Sequence, residues 1–315
     1  MNNNLRTIAA CLPALFLSYE LQAQSDITGE VNLDVKADNV VNAAIGVHTK
    51  ADTALGSISE SSVGGDVNSS VRAKYVVNAA IGKFAISDVA AGSVVDSSVG
   101  GEVSADVQTG NVVSAAIGKY SKSDVALGSA KESSIGGDFT ATVRTGNVVS
   151  AAIGAGTLAR TKVGSVIDSS VRGDVNLDVS TRNVVNAAIG AGANSDVYAG
   201  SVEDSDIGGD ATIKVRTGNV IGVAIGAGVK SDVYVGSVKN AGVGGNVDID
   251  VSTGNVIGAA IGAGQHSKLR VGSITNANVG GDAKIKVKTG NVTAYSVGIG
   301  WFKKSNEVNI GNIGD

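Results

Sequence analysis

Hydrophobic and polar positions recur along this chain with a fixed period. Glycine stands at Gly46, Gly82, Gly118, Gly154, Gly190, Gly226, Gly262 and Gly298, each step 36 residues, and each is preceded by Ile or, once, Val. The unit divides in half, because Gly200, Gly218, Gly236, Gly254, Gly272 and Gly290 are 18 residues apart. With that glycine as position 1, position 3 is Val or Ile (Val184, Val202, Val220, Val238) and position 8 is Ile or Val (Ile189, Ile207, Ile225, Val243). Position 16 is usually Val, as in Val179, Val197, Val215 and Val233. In alternate halves the apolar residues fall on every second position, as in Val247, Ile249 and Val251 with Asp between them. That is the alternation of a strand. Eighteen residues also make five turns of an α-helix. Two or three glycines per half, at ~1 kcal/mol each against Ala, together with abundant β-branched Val, exclude that reading.

Strands repeating without drift predict an all-β fold: a single β-solenoid (β-helix) of about sixteen 18-residue coils arranged as 36-residue double-coil repeats. Coils about 4.8 Å apart would give a rod on the order of 75 Å long. Positions 3 and 8 differ by an odd number, so both point inward only if the chain bends between them, at small residues such as Ala187 and Ala259. A three-sided cross-section follows, with Ile225 in an inward stack between Ile207 and Val243, and Lys230 in a solvent column. Position 2 alternates between Asn (Asn111, Asn147, Asn183) and Ser (Ser129, Ser165, Ser201). We read these as ladders satisfying backbone groups at turns.

Composition adds an address. Arg6 precedes an apolar stretch over 7–19, and Leu21-Gln22-Ala23-Gln24 resembles a cleavage site, the pattern of a secretory signal peptide. The stretch is too short for a transmembrane helix. Ile8-Ala9-Ala10-Cys11 also matches a lipobox, but almost no apolar segment precedes it. The domain organisation expected is a signal peptide over 1–24, the solenoid over 25–308 and a tail over 309–315. The mature chain would be secreted, extracellular or on the cell surface, with no transmembrane segment. Cys11 and Pro13 are the only Cys and Pro, so ladder hydrogen bonds and packing, not disulfides, must hold an exported chain together. The net charge of −4 gives no support to a nucleic-acid partner.

Segments such as Val223-Ala224-Ile225-Gly226 followed by Ser231 and Gly236-Ser237 resemble the head repeats of trimeric autotransporter adhesins, β-rolls with an Ala-Ile-Gly core motif. Two features depart from that family: its repeat is shorter than this one, and it has a C-terminal membrane strand region with no counterpart pattern here. A leader followed by Gly/Asn/Ser/Val repeats also resembles secreted functional amyloids of the curli type, although the curli Gln/Asn-spaced motif does not occur. The resemblances imply a cell-surface or matrix role and assign no functional residue.

Little in the chain reads as catalytic. His48 and His266 are the only histidines and lie far apart, without Cys or Glu at metal-ligand spacing. The unvarying 36-residue step leaves no spare chain for the irregular loops that build clefts in solenoid enzymes, so no enzymatic activity, catalytic residue or cofactor is expected. Position 15 is the best candidate for chemistry. Asp88, Asp106 and Asp124 would sit on successive coils about 4.8 Å apart, a spacing at which carboxylates repel unless a cation such as Ca²⁺ joins them. The Gly-Gly-Xaa-Gly-Xaa-Asp pattern of calcium-binding rolls is missing, so a solvated column compensated by Lys and Arg is the favoured reading. Thr109, Thr145, Thr181, Thr217, Thr253 and Thr289 recur once per 36 residues, too sparse for a regular ice-binding array.

The function expected is a structural subunit of an extracellular fibre that associates head to tail, with matrix or cell-surface components as further partners. A monomeric adhesin or a cation-binding β-roll is the alternative. Residues 26–55 carry five acidic side chains against two Lys, and residues 272–307 carry five Lys against two acidic side chains, so the ends are complementary. Trp301, Phe302 and the tail to Asp315 could instead fold over the last coil as a cap.

Overall fold

The computed structural model describes residues 25–298 and 305–314. The expected signal peptide over 1–24, with Cys11, and the candidate cap residues Trp301 and Phe302 lie outside the described residues. Within them the regular structure is all strand, without helix. Every strand pair is parallel, and up to the last pairing of the return sheet the partner of a residue lies 36 positions away: Val143 sits between Val107 and Val179. One turn of the solenoid is therefore 36 residues, and the chain makes about eight turns, not sixteen. At about 4.8 Å per turn the stack rises roughly 35–40 Å, half the length expected from the half-repeat. The two 18-residue halves do not stack on each other. They face one another across a single core, and that is why they share apolar offsets: Val179 and Val184 on the long strand, and Val197 and Val202, 18 residues further on, on the return side, are all fully buried.

One coil shows the plan. A 15-residue long strand, Val175–Ile189, is followed by a return strand, Asn194–Ala199. Two short strands, Val202–Glu203 and Asp206–Ile207, close the turn. The four kinds of strand stack into four parallel sheets rather than a three-sided prism. The inner half of the long strand, the end of the return strand and the short strands enclose the main core of Val, Ile and Leu, which runs unbroken through the described coils. The outer half of the long strand lies against the return strand through small residues only. Ala152, Ala159, Ala188 and Ala224 fill this thin layer. Asn186 donates from Nδ2 to the carbonyls of Ala159 at 2.8 Å and Asp196 at 2.9 Å, and Ser123 Oγ lies 2.8 Å from both Ser114 Oγ and Ser150 Oγ. Short side chains let the two sheets approach, and the Asn and Ser donors above find partners across the gap, whereas Asn186 Oδ1, Ser231 Oγ and Ser267 Oγ have none.

The bend predicted between positions 3 and 8 occurs elsewhere. In each long strand the alternation of inward and outward residues slips by one near position 1: Lys74 and Tyr75 both face out, with Ala73 and Val76 buried on either side. In the last two coils the strand breaks there, between Val247–Thr253 and Val256–Ala263. The slip brings positions 16 and 3 to one core and sends position 8 of this half outward. Ile225 is thus 38% exposed and pairs with Ile189 and Ile261, whereas Ile207 and Val243, in the other half, are 3% and 2% exposed. The expected inward stack of Ile225 between Ile207 and Val243 does not form. The Thr column is also relocated: Thr109, Thr181, Thr217 and Thr253 are buried, so they form no ice-binding face.

The fixed glycine at the end of each long strand has a steric cause. At Gly190, φ is +143°, and a Cβ would lie 1.5 Å from the carbonyl oxygen of Gly154 in the coil below. The same collision recurs from Gly82 to Gly262, so one larger residue would push two coils apart. By contrast, Gly192 (φ +67°) has only the Cα of Gly156 nearby, at 3.8 Å. We predict that Gly190→Ala abolishes cooperative folding or lowers the melting temperature severely. Gly192→Ala should cost only about 1–2 kcal/mol, the penalty of a left-handed conformation. Thermal melts of the two variants check this; equal sensitivity would contradict the steric account.

Candidate functional site

Because like stacks on like, any site in this fold is a column. Position 15 proves to be two columns, and they lie on different sheets. Asp106 is on a long strand, paired with Ser70 and Thr142. Its carboxylate faces Gln108 Nε2 at 3.1 Å and Arg144 at 3.9 Å. Asp88 and Asp124 belong to the return-strand sheet, where the column reads Asp52, Asp88, Asp124, Arg160, Asp196, Asp232, Lys268, Glu307. The proposed trio is therefore split, with Asp88 beside Asp124 and Asp106 elsewhere. Among the described residues no group of three His, Cys, Asp or Glu side chains is placed to hold a metal ion.

Cations of the chain itself occupy the return-sheet column. Lys50 Nζ lies 2.7 Å from Asp52, Lys230 Nζ 2.7 Å from Asp232, and Lys162 Nζ reaches Asp124 at 2.9 and 3.1 Å. The Asp124 carboxyl is raised by burial, but Lys162, Lys122 and Arg160 outweigh that and hold it down at about 2. Asp88 and Asp196 are less well served. Burial pushes the Asp88 carboxyl up to about 6, with Lys122 opposing and Asp124 and Asp52 adding repulsion. Asp196 is likewise pushed up to about 6 by burial and by Asp232, against Lys230 and Arg160. Two residues along, Tyr198 and Tyr234 stack with ring centroids 5.1 Å apart, and the Arg270 guanidinium lies 5.8 Å over the Tyr234 ring.

A second acidic column escaped the sequence reading. Glu60, Asp96, Glu132, Asp168 and Asp204, continued by Asn240 and Asn276, all adopt φ of +47° to +51° at the corner between the two short strands. Of these, Asp96, Glu132, Asp168 and Asp204, with adjacent serines including Ser97, Ser133 and Ser169, line an open cleft of about 630 Å³. The serines are committed to the backbone. Ser133 Oγ donates to the Lys131 carbonyl at 2.7 Å and accepts from the Ser97 N–H at 3.3 Å. The signal was legible in principle: position 5 of every even half holds Asp, Glu or Asn, and Asn and Asp are the residues that best tolerate a left-handed turn.

The position 2 ladders take the form expected of them. Ser165 Oγ accepts the Ser201 N–H at 3.2 Å, and Asn183 Nδ2 donates to Asn147 Oδ1 at 2.8 Å. His48 stacks on Phe84, which stacks on Tyr120, with centroids 4.6 and 5.4 Å apart. His266 contacts Ser305, on the far side of the stack from His48.

No protein-family model, no curated protein and no solved structure matches this chain. The likeness to autotransporter heads and curli-type amyloids rests on the quoted residues alone.

The raised carboxyls carry a pH signature. A folded pKa above the unfolded value of 3.8 costs stability above pH 6, and the cost is relieved as pH falls from 6 towards 4. Asp196→Asn should therefore stabilise the chain by about 1–3 kcal/mol at pH 7.5 and by much less at pH 4.5. Asp124 has the opposite sign: its contribution is present above pH 4 and is lost as pH falls through 2, so Asp124→Asn should destabilise at pH 7.5. Denaturant titrations at the two pH values check both signs; destabilisation by Asp196→Asn that is equal at both would contradict the assignment.

Proposed function

We propose that the chain is a non-enzymatic structural subunit, exported and assembled head to tail into an extracellular or cell-surface fibre. The observation that carries this reading is the condition of the two end coils. Val31–Ile45 pairs with Val67–Ile81 on one side, and among the described residues no strand covers its other edge. At the opposite end, Ala283–Thr289 and Val292–Val297 are equally uncovered. Open parallel edges of this length are templates for another strand. The 36-residue step also carries across the gap. A copy stacked in the same register sets Ala283 beside Val31, Lys286 beside Asp34 and Val292 beside Val40, so apolar columns continue and an ammonium meets a carboxylate. Such a contact is heterologous and does not close.

The acidic cleft supports a second reading, a surface rod that binds cations or cationic partners through Asp96, Glu132, Asp168 and Asp204. The fibre reading is preferred because the serines beside these carboxylates are already engaged by backbone.

Light scattering and electron microscopy of the mature chain test the proposal. Filaments with an axial repeat of roughly 35–40 Å per chain are expected. Lys286→Glu should weaken assembly, and pairing it with Asp34→Lys should restore it. A monodisperse monomer at all concentrations and salt levels would leave the surface-rod reading.

A further inference from the structure

The parity slip leaves an apolar face on the outside of the molecule. On the outer half of the long strand in the first seven coils three successive outward side chains are apolar, and in the eighth Thr293, Tyr295 and Val297 take their places. In the coil 103–138 they are Val113, Ala115 and Ile117, and the polar or small partners Ser114 and Ala116 point inward. The pattern repeats in register down the stack. The isoleucine column stays 38–42% exposed from Ile81 to Ile261, even with neighbours above and below, and reaches 76% at Ile45. Nothing within the chain covers this face among the described residues.

Its size and relief point to one occupant. Three outward positions span about 15–20 Å, and seven steps of about 4.8 Å span roughly 34 Å, giving an area on the order of 500–600 Å². That is the upper end of the largest apolar patch found on monomers. Two such faces together bury about 1,000–1,200 Å², the threshold for a specific interface. The relief is self-matching over most of its length: Val and Ile ridges flank an alanine trough, filled only at Val223 and Tyr295, and a second solenoid of the same pitch offers ridges for that trough. Charge lies at the two margins: Lys83 and Lys119 lie over the Phe84 and Tyr120 rings on one side, and on the other the Asn111 to Asn255 ladder is bordered by the exposed Lys74–Asp38 pair and Arg182. An apolar centre with a polar rim is the anatomy of a protein interface.

We infer that two copies of this chain pair side by side through the Val–Ala–Ile face. The pairing is closed and isologous, independent of end-to-end stacking, and turns any filament into a two-stranded one. It differs from end stacking in its response to salt, because burial of apolar area is not screened while the Lys286–Asp34 contact is.

Sedimentation analysis of the mature chain at low and high salt tests the inference, together with mass-per-length measurement on any filaments. The expected results are a dimer that persists in 1 M salt and two chains per axial repeat. Ile117→Lys/Ile189→Lys replaces outward side chains only. Its circular dichroism and melting temperature should match the parent, while its dimer dissociation constant rises at least 100-fold and its filaments become single-stranded. If that variant misfolds, Ile117→Ser/Ile189→Ser gives the same reading with less charge. A salt-resistant monomer at high concentration, one chain per repeat, or a folded lysine variant that dimerises as tightly as the parent would each overturn it. The sedimentation outcomes do not depend on whether the ends stack; only the mass-per-length outcome does.

Discussion

Everything in this molecule depends on the parallel, in-register hydrogen-bond ladder between residue i and residue i + 36. A parallel ladder places each side chain directly over its equivalent in the coil below. The core then becomes a set of columns, and each column must suit its own repetition. Val, Ile and Ala repeat at no cost. Ser and Asn repeat because each can donate and accept at once: Ser165 Oγ takes the Ser201 N–H and gives to the Val163 carbonyl. Glycine repeats at Gly154 and Gly190 because the coil below leaves no room for a Cβ. The ladder also explains why the step holds at 36 for so long; an insertion would displace every column above it. The step becomes 39 only at the last pairing, His266 with Ser305, where no further described coil must follow in register.

Charged residues are the one class that cannot simply repeat, and they show how the constraint is met. A continuous Asp column on the return sheet would place carboxylates about 4.8 Å apart. The chain interrupts it with Arg160 and Lys268 and brings in Lys50, Lys162 and Lys230 from neighbouring columns. Where that supply is thin, at Asp88 and Asp196, the carboxyls are forced up towards pH 6. The long-strand sheet solves the same problem with neighbours in the next coil, Arg216 set diagonally 3.6 Å from Asp178 and Lys284 directly over Asp248 at 3.7 Å.

Much of this was legible in the sequence. Period, strand character, parallel stacking, the Ser and Asn ladders and the inward Val at positions 3 and 16 all follow from residue type and spacing. Two things were not. The length of one turn was read as 18 because both halves place Val179, Val184, Val197 and Val202 at the same offsets; spacing records which residues face the core and not the direction from which they do so. The fate of position 8 was hidden for a related reason. Ile207 and Ile225 are chemically alike, but one lies after a left-handed corner at Asp204 and the other after the parity slip, so one is buried and the other exposed. The acidic corner column was within reach, since a turn position held by Asp, Glu or Asn in every even half is a conformational signal.

The 36-residue turn is the claim on which the ends, the columns and the exposed face all rest. The most direct measurement is the spin–spin coupling between nitroxide labels on two pairs of engineered cysteines in residues 25–315, a segment that holds no cysteine of its own. One pair is Ser180→Cys with Arg216→Cys, outward neighbours in the long-strand sheet. The other is Ser180→Cys with Tyr198→Cys, 18 residues apart on different sheets. The account predicts strong short-range broadening for the first pair and none for the second. Strong broadening for the 18-residue pair, with weaker coupling at 36, would contradict it.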